Sequence, residues 1–324
     1  MIWSLQILRF IAALMVVYVH AAQAARSVTG SIGIIPLNLA VMGQAGVDIF
    51  FVLSGVVIAK TAPGMTSEQF LWRRIRRILP IYYVAGLLSA LFISAHTGIG
   101  WRDVLATFLL WPATDVMTTS LLPVGWTLSF EMLFYLSAAL VLRDRRWLYV
   151  LGGFYVVAFA LRPLSPVFQF LGNPLIFEFV FGVVLAHAPP LPRLVGAWLV
   201  LLGFTALAAA GPLGISPQGA MPQFMTGEDN VQRALVYGLP SAMIVYGTMQ
   251  IKARESVWTY LGDASYSLYL FHTFAILPLV VLAYPIHADF IVIIGMAASV
   301  LLAWRIHVLI EMPILRAIPT SMTR

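Results

Sequence analysis

Residues 3–23 read WSLQILRFIAALMVVYVHAAQ. A helix crossing the hydrocarbon of a bilayer needs roughly 20 mostly apolar residues. This stretch meets that length, although it carries Arg9 and His20. No Lys or Arg precedes Arg9, so the basic leader of a cleavable signal peptide is missing, even though Ala21-Ala22-Gln23-Ala24-Ala25 resembles a small-residue cleavage site. The stretch is therefore read as a retained first membrane span.

The rest of the chain has the same character. Of 324 residues, 61% are hydrophobic and 10% charged, and the mean hydropathy is +0.92. A soluble domain is roughly a quarter charged. So few charges cannot coat a water-facing surface of this size, which excludes a disordered chain, a coiled coil and a typical soluble enzyme. Cysteine is absent, excluding a disulfide framework, thiolate catalysis and Cys-based metal sites. The pattern predicts an all-α, polytopic membrane helix bundle filling residues 1–324 as one domain. About ten transmembrane helices are expected, at 3–23, 45–61, 80–97, 124–142, 147–162, 167–187, 194–211, 234–251, 257–284 and 289–311. Gly172-Asn173-Pro174 is expected to break the sixth span and Pro278 the ninth. Residues 103–113 read as a re-entrant or interfacial piece, and 212–233 as a Gly/Pro-rich loop.

Charge orients the bundle. With ten spans, one set of alternate loops holds thirteen Lys and Arg, Arg324 among them. The other set holds four: Arg26, Arg102, Arg162 and Arg233. Basic residues mark the cytoplasmic side, so both termini are expected there. Spread along one membrane face, these charges argue against nucleic-acid binding.

Ionisable groups at membrane depth are costly and are functional candidates by default. Arg9 and His20 are eleven residues apart, three helical turns plus about 20°, so they share one stripe of the first helix roughly 16 Å apart along its axis. One reading is an enclosed channel with Arg9 near an anionic donor and His20 at the chemistry. The other is an Arg9 that snorkels and a packing His20. Asp48, within Gly43–Gly55, either pairs with a base or caps a helix in a block whose glycines permit close approach. Arg73, Arg74, Arg76 and Arg77 are a lipid-headgroup anchor or a phosphate site. Trp126 suits the interface, and Glu131 needs a sugar hydroxyl, a base or a structural hydrogen bond. Tyr269 and His272 are neighbours on one helix face. His307 and Glu311, at i and i+4, supply too few ligands for zinc, so no metal is expected.

Taken in order, Leu5–Arg9 with His20, Gly46–Gly55, Arg73–Pro80, Val124–Glu131, Tyr266–His272 and Glu311-Met312-Pro313 resemble the membrane acyltransferase-3 family, in its stand-alone form without a fused extracytoplasmic domain. The resemblance covers nearly the whole chain. It implies a carbohydrate O-acetyltransferase, multi-pass in a bacterial inner (plasma) membrane. Acetyl-CoA would be the acyl donor, with no permanently bound cofactor, and a carbohydrate or lipid-linked glycan the acceptor. His20 would be the general base, able to take a hydroxyl proton near neutral pH, with Arg9 beside it in catalysis. Arg73, Arg74, Arg76 and Arg77 would meet the CoA phosphates. Glu131, Trp126, Asp48, Tyr269 and His272 are expected to contact substrate. Further acceptor contacts are expected from loops 98–126 and 212–233. An acyl-His intermediate is an open variant. A secondary transporter or flippase of lipid-linked sugar would share the spans, broken helices and buried charges, though no internal repeat is visible.

Overall fold

The computed structural model describes residues 2–94, 98–217, 221–282 and 287–319. The ends of the spans expected at 80–97 and 257–284, part of loop 212–233, and Arg324 lie outside these residues. Among the described residues there is no strand, only an isolated bridge between Ala113 and Met117. Besides a four-residue helix at Leu37–Ala40, which leads through a 3-10 turn into the second span, the α-helices are α1 (Trp3–Thr29), α2 (Gly46–Thr61), α3 (Ser67–Ser94), α4 (Trp101–Phe108), α5 (Trp126–Arg143), α6 (Trp147–Ala160), α7 (Pro166–Leu171), α8 (Ile176–His187), α9 (Arg193–Ala210), α10 (Met221–Thr226), α11 (Asn230–Arg233), α12 (Leu239–Met249), α13 (Val257–Asp263), α14 (Ser265–Leu282), α15 (Ala288–Ile306) and α16 (Met312–Ala317). A π-helical turn, Ala234–Gly238, joins α11 to α12, and another, His307–Glu311, joins α15 to α16. Seven helices, or helices with their continuations, are long and apolar enough to cross a membrane, eight if the bent pair α13–α14 is one span. Each of the ten expected stretches is helical over most of its described length.

α1 runs to Thr29 and ends at Gly30, whose left-handed φ of 75° lets its N–H close onto the Arg26 carbonyl. The alanines that resembled a cleavage site lie inside this helix. Ala21, Ala22 and Ala25 pack into a buried apolar cluster with Ile276, Ile291 and Val292. Hydrocarbon gives helices no hydrophobic reason to associate, so close backbone approach carries the packing. α2 crosses α8 where Gly55 meets Gly182; a Cβ on Gly55 would lie 2.9 Å from the Gly182 Cα. Gly43 and Gly46, at the entry to α2, lie against the Met15 and Ala12 carbonyls of α1 in the same way. These contacts set α2 against the Arg9–His20 stripe. The outward faces of α6 and α9 expose Leu148, Val156, Val157, Leu194, Trp198, Leu201 and Leu202, as a lipid-facing surface does.

Several expectations change. Gly172–Leu175 interrupts the sixth span as foreseen, between α7 and α8. In the ninth, Pro278 lies inside an unbroken α14, and the break is a 74° bend at Ala264. The corner forms there because Gly262 abuts the Gln6 backbone and Asp263 bonds the Gln6 side chain, pinning it to α1. The basic run Arg73–Arg77 is not a loop before the third span. It lies on α3, which begins at Ser67 and tolerates Pro80. Residues 103–113 take in all but the first two residues of the eight-residue α4 and then irregular chain. The stretch 212–233 is only partly a loop: it supplies α10 and α11, and Phe224, Met225, Asn230 and Arg233 are buried. Arg233 thus leaves the tally of loop cations, because it turns into the bundle to meet Asp48.

Candidate active site

Three cavities follow one another along α1. The first, about 680 Å³, is lined by Gln6, Thr61, Tyr260, Asp263, His307, Glu311 and five arginines: Arg73, Arg74, Arg76, Arg77 and Arg316. The second, about 100 Å³, holds Arg9 and Glu131 among Phe50, Phe51, Leu53, Thr127, Tyr135, Tyr266 and Tyr269. The third, about 370 Å³, holds His20, Gln23, Gln44, Trp126, Phe224 and Arg233. Val57, Arg74 and Arg77 belong to the first and second, and Val47 and Tyr269 to the second and third. They are called here the arginine, middle and far cavities. The expected single channel is therefore a series of three chambers. Tyr269 walls the last two: its hydroxyl donates to the Val124 carbonyl (3.1 Å) and lies 2.9 Å from Thr127 Oγ1.

In the arginine cavity, Arg74 Nη2 donates to Thr61 Oγ1 (2.8 Å), and its guanidinium lies over the Phe70 and Tyr135 rings. Arg76 donates to the Leu315 carbonyl. The Nε–H groups of both arginines are enclosed and find no acceptor among the described residues. Arg73 lines this cavity too and is exposed. Glu311 Oε2 accepts from Ser267 Oγ (2.7 Å) and lies 2.8 Å from His307 Nδ1, on the π-turn. Such turns recur at functional sites.

In the middle cavity, Arg9 Nη1 donates to Gln6 Oε1 (3.3 Å), and Gln6 Nε2 donates to Asp263 Oδ1 (2.9 Å). Glu131 Oε1 accepts from Ser54 Oγ (3.0 Å) and from the Tyr135 hydroxyl. Those structural bonds leave the carboxylate facing Arg9, Arg74 and Arg77 across the chamber.

At the far cavity the rings dictate a tautomer. His272 Nδ1 is 3.1 Å from the Leu268 carbonyl, which only accepts, so that nitrogen carries the proton and Nε2 a lone pair. His20 Nδ1 is 3.0 Å from the Val16 carbonyl and 3.2 Å from His272 Nε2. With both rings neutral, His20 Nδ1–H is shared between these two acceptors, and His20 Nε2 is left as a free base. His272 itself is fully buried behind His20. Asp48 is equally buried and accepts from Arg233 Nε (2.9 Å) and Nη2 (2.8 Å), so it reaches the cavity only through Arg233. Trp126 and Phe224 stack with centroids 6.4 Å apart and planes 27° from parallel. Outside the spans, Arg102 ties α4 to the loop before Trp126 by pairing with Asp115, and its hydrogen bonds hold that exposed carboxyl down at about 2.

A family model described as an acyltransferase domain matches residues 2–308. The chain belongs to this acyltransferase family. The exopolysaccharide production protein ExoZ of Rhizobium meliloti (strain 1021) is 33% identical over 263 residues, 72% of this chain and 77% of that protein. The acyltransferase MdmB of Streptomyces mycarofaciens is 26% identical over 307 residues, 83% of this chain and 77% of that one. No solved structure matches. The chain is accordingly a multi-pass membrane acyltransferase.

Within this acyltransferase, the expected site residues divide by chamber. Arg73, Arg74, Arg76 and Arg77 share the first, Arg9, Glu131 and Tyr269 the second, and His20 and Trp126 the third. His272 and Asp48 stand behind the third. Arg9 and His20 share a face of α1 but open into different chambers. Sequence reasoning passed over Gln6, Gln23, Gln44, Phe224, Arg316 and Arg233. Gln44 stood inside a block read for its glycines, and an amide at the mouth of an apolar span was its only signal. The pairing of Arg233 with Asp48, 185 residues away, leaves no local trace.

Proposed function

We propose that this acyltransferase moves an acetyl group from cytoplasmic acetyl-CoA to a hydroxyl of a carbohydrate or glycolipid acceptor, with His20 as general base. The observation that supports this best is the order of chambers along one face of α1: five arginines, then Arg9, then an imidazole with a free Nε2. Guanidinium forks suit phosphate oxygens, and the enclosed Nε–H groups of Arg74 and Arg76 ask for such acceptors. The middle chamber, about 100 Å³, is too small for a nucleotide, and it shares lining residues with the chambers on either side, the route that a pantetheine arm would follow. Arg9, roughly 16 Å from His20 along the axis, then serves the donor rather than the reacting carbon. The basic surplus on the arginine face supports its assignment to the cytoplasm. ExoZ is named for exopolysaccharide production, which supports a glycan acceptor; that both relatives are bacterial is in keeping with a bacterial plasma membrane.

In the step itself, His20 Nε2 takes the proton of the acceptor hydroxyl. The oxygen attacks the thioester carbonyl, the tetrahedral adduct expels the CoA thiolate, and the imidazolium returns its proton to sulfur. The products are the O-acetyl ester and free CoA. His272 touches no reacting atom in this scheme; it holds His20 in the tautomer that leaves Nε2 bare. Removing a general base costs about 10²–10⁴-fold. The test is transfer from labelled acetyl-CoA by purified His20→Gln and His20→Ala. A rate near that of the parent in a well-folded variant removes His20 from the mechanism. Mass spectrometry of surface glycans with and without the gene identifies the acceptor.

A further inference from the structure

We infer that the far cavity is the acceptor subsite, that it takes an uncharged pyranose, and that the ring enters from the face opposite the arginine cavity. The inference rests on the reading of His20 given above. His20 opens into this chamber, so the hydroxyl it deprotonates lies here. The volume, about 370 Å³, falls within the range of small-molecule sites, about 300–1,000 Å³. The middle cavity, about 100 Å³, falls below that range. Gln23, at the rim, is exposed, which puts the opening on the far side.

The lining is that of a neutral polyol site. Trp126 gives a face for the C–H side of a ring. Gln44 Oε1 is enclosed and finds no donor among the described residues. Buried acceptors are rarely left so, and a sugar hydroxyl would supply the missing proton. Arg233 is the one guanidinium lining the chamber among the described residues, and its charge is matched by Asp48. The fully buried Glu178 lies within electrostatic range of both. A carboxylate or phosphate on the sugar would therefore meet no uncompensated cation, in contrast to the arginine cavity.

The chain has no cysteine, so Gln44→Cys provides a single thiol. In sealed membrane vesicles of either orientation, a sulfonated, membrane-impermeant methanethiosulfonate reads the face from which that thiol is reached. A panel of methyl gluco-, galacto- and mannopyranosides, set against glucuronate, reads the ligand. The expected result is reaction from the far face only, slowed severalfold by at least one neutral pyranoside and not by glucuronate. Reaction only from the arginine face, equal slowing by glucuronate, or indifference to every neutral sugar overturns the inference. If Gln44→Cys fails to fold, Gln23→Cys at the exposed rim gives the same readings. Thr61→Cys, probed from the arginine face, reports the donor side separately through protection by acetyl-CoA. Protection there with indifference to sugars at the far cavity overturns this inference alone. Absence of acetyl-CoA protection counts against the proposed function.

Discussion

His272→Leu is the most informative single perturbation. Leucine keeps most of the buried volume but removes the acceptor 3.2 Å from His20 Nδ1. The Val16 carbonyl at 3.0 Å remains, so His20 loses one of two partners rather than its orientation outright. A net neutral hydrogen bond contributes about 0.5–1.5 kcal/mol. At roughly 1.4 kcal/mol per factor of ten, the fraction of His20 presenting a bare Nε2 falls about 2- to 13-fold. Because the bond orients a base and binds no donor, kcat should fall by that factor while KM for acetyl-CoA holds. His272→Gln can place an amide oxygen near the lost Nε2 and should recover most of the loss. Nitrogen-15 spectra of labelled histidine should show His20 moving away from the Nδ1–H form in the leucine variant only. If both variants lose activity equally, by more than about a thousandfold, with unchanged thermal midpoints, His272 takes part in the chemistry and the positioning argument fails. If neither loses any, the shared proton has no kinetic role.

Arg233→Met strands the buried Asp48 carboxylate and should lower unfolding stability in detergent by about 3–5 kcal/mol, with Arg233→Met/Asp48→Leu regaining much of it, measured by denaturant titration. Gly55→Ala forces a methyl into the Gly182 backbone and should cost about 1–3 kcal/mol, read as a drop in thermal midpoint; an unchanged midpoint would show that α2 and α8 can separate freely. Arg74→Gln and Arg76→Gln each remove a charged donor and should raise KM for acetyl-CoA roughly 10- to 150-fold with little change in kcat, since a hydrogen bond to a charged group contributes about 1.5–3 kcal/mol. Raising salt from about 0.1 M to 1 M shortens the screening length from about 10 Å to 3 Å, so KM for acetyl-CoA should climb with NaCl while KM for a neutral acceptor stays level.

What could be read from the chain was what repeats locally. Apolar runs of membrane length located the helices, and eleven steps of 100° put Arg9 and His20 on one face of α1. What escaped depended on partners distant in sequence. Pro278 looked like a break because proline lacks a helical N–H, yet α14 runs through it. Asp263, which gave no such sign, makes the corner because Gln6 receives it. Arg233 looked like a loop cation because the residues before it are polar. Spacing made Tyr269 and His272 neighbours on one helix face, and the family resemblance made both substrate contacts; Tyr269 walls a cavity, whereas His272 is buried behind His20. Helical spacing gives a shared face; it does not say whether that face meets a chamber or another ring.

The distribution of charge gives the passage a direction. In the arginine cavity five guanidinium groups face two carboxylates, Asp263 and Glu311. In the middle cavity Arg9, Arg74 and Arg77 face Glu131. In the far cavity Arg233 is matched by Asp48. The positive excess falls at each step away from the basic face, and the low dielectric of the bundle lets that gradient act over the length of the passage. Under the proposed function, a polyanionic donor is held most strongly at the end from which it enters, and only its uncharged acyl-bearing tip gains nothing from staying there. The CoA product of that scheme, neutral at its thiol but anionic at its phosphates, stays drawn to the same end. Geometry alone would allow the chambers to be filled from either side; the charges favour an anion at one end and an uncharged partner at the other.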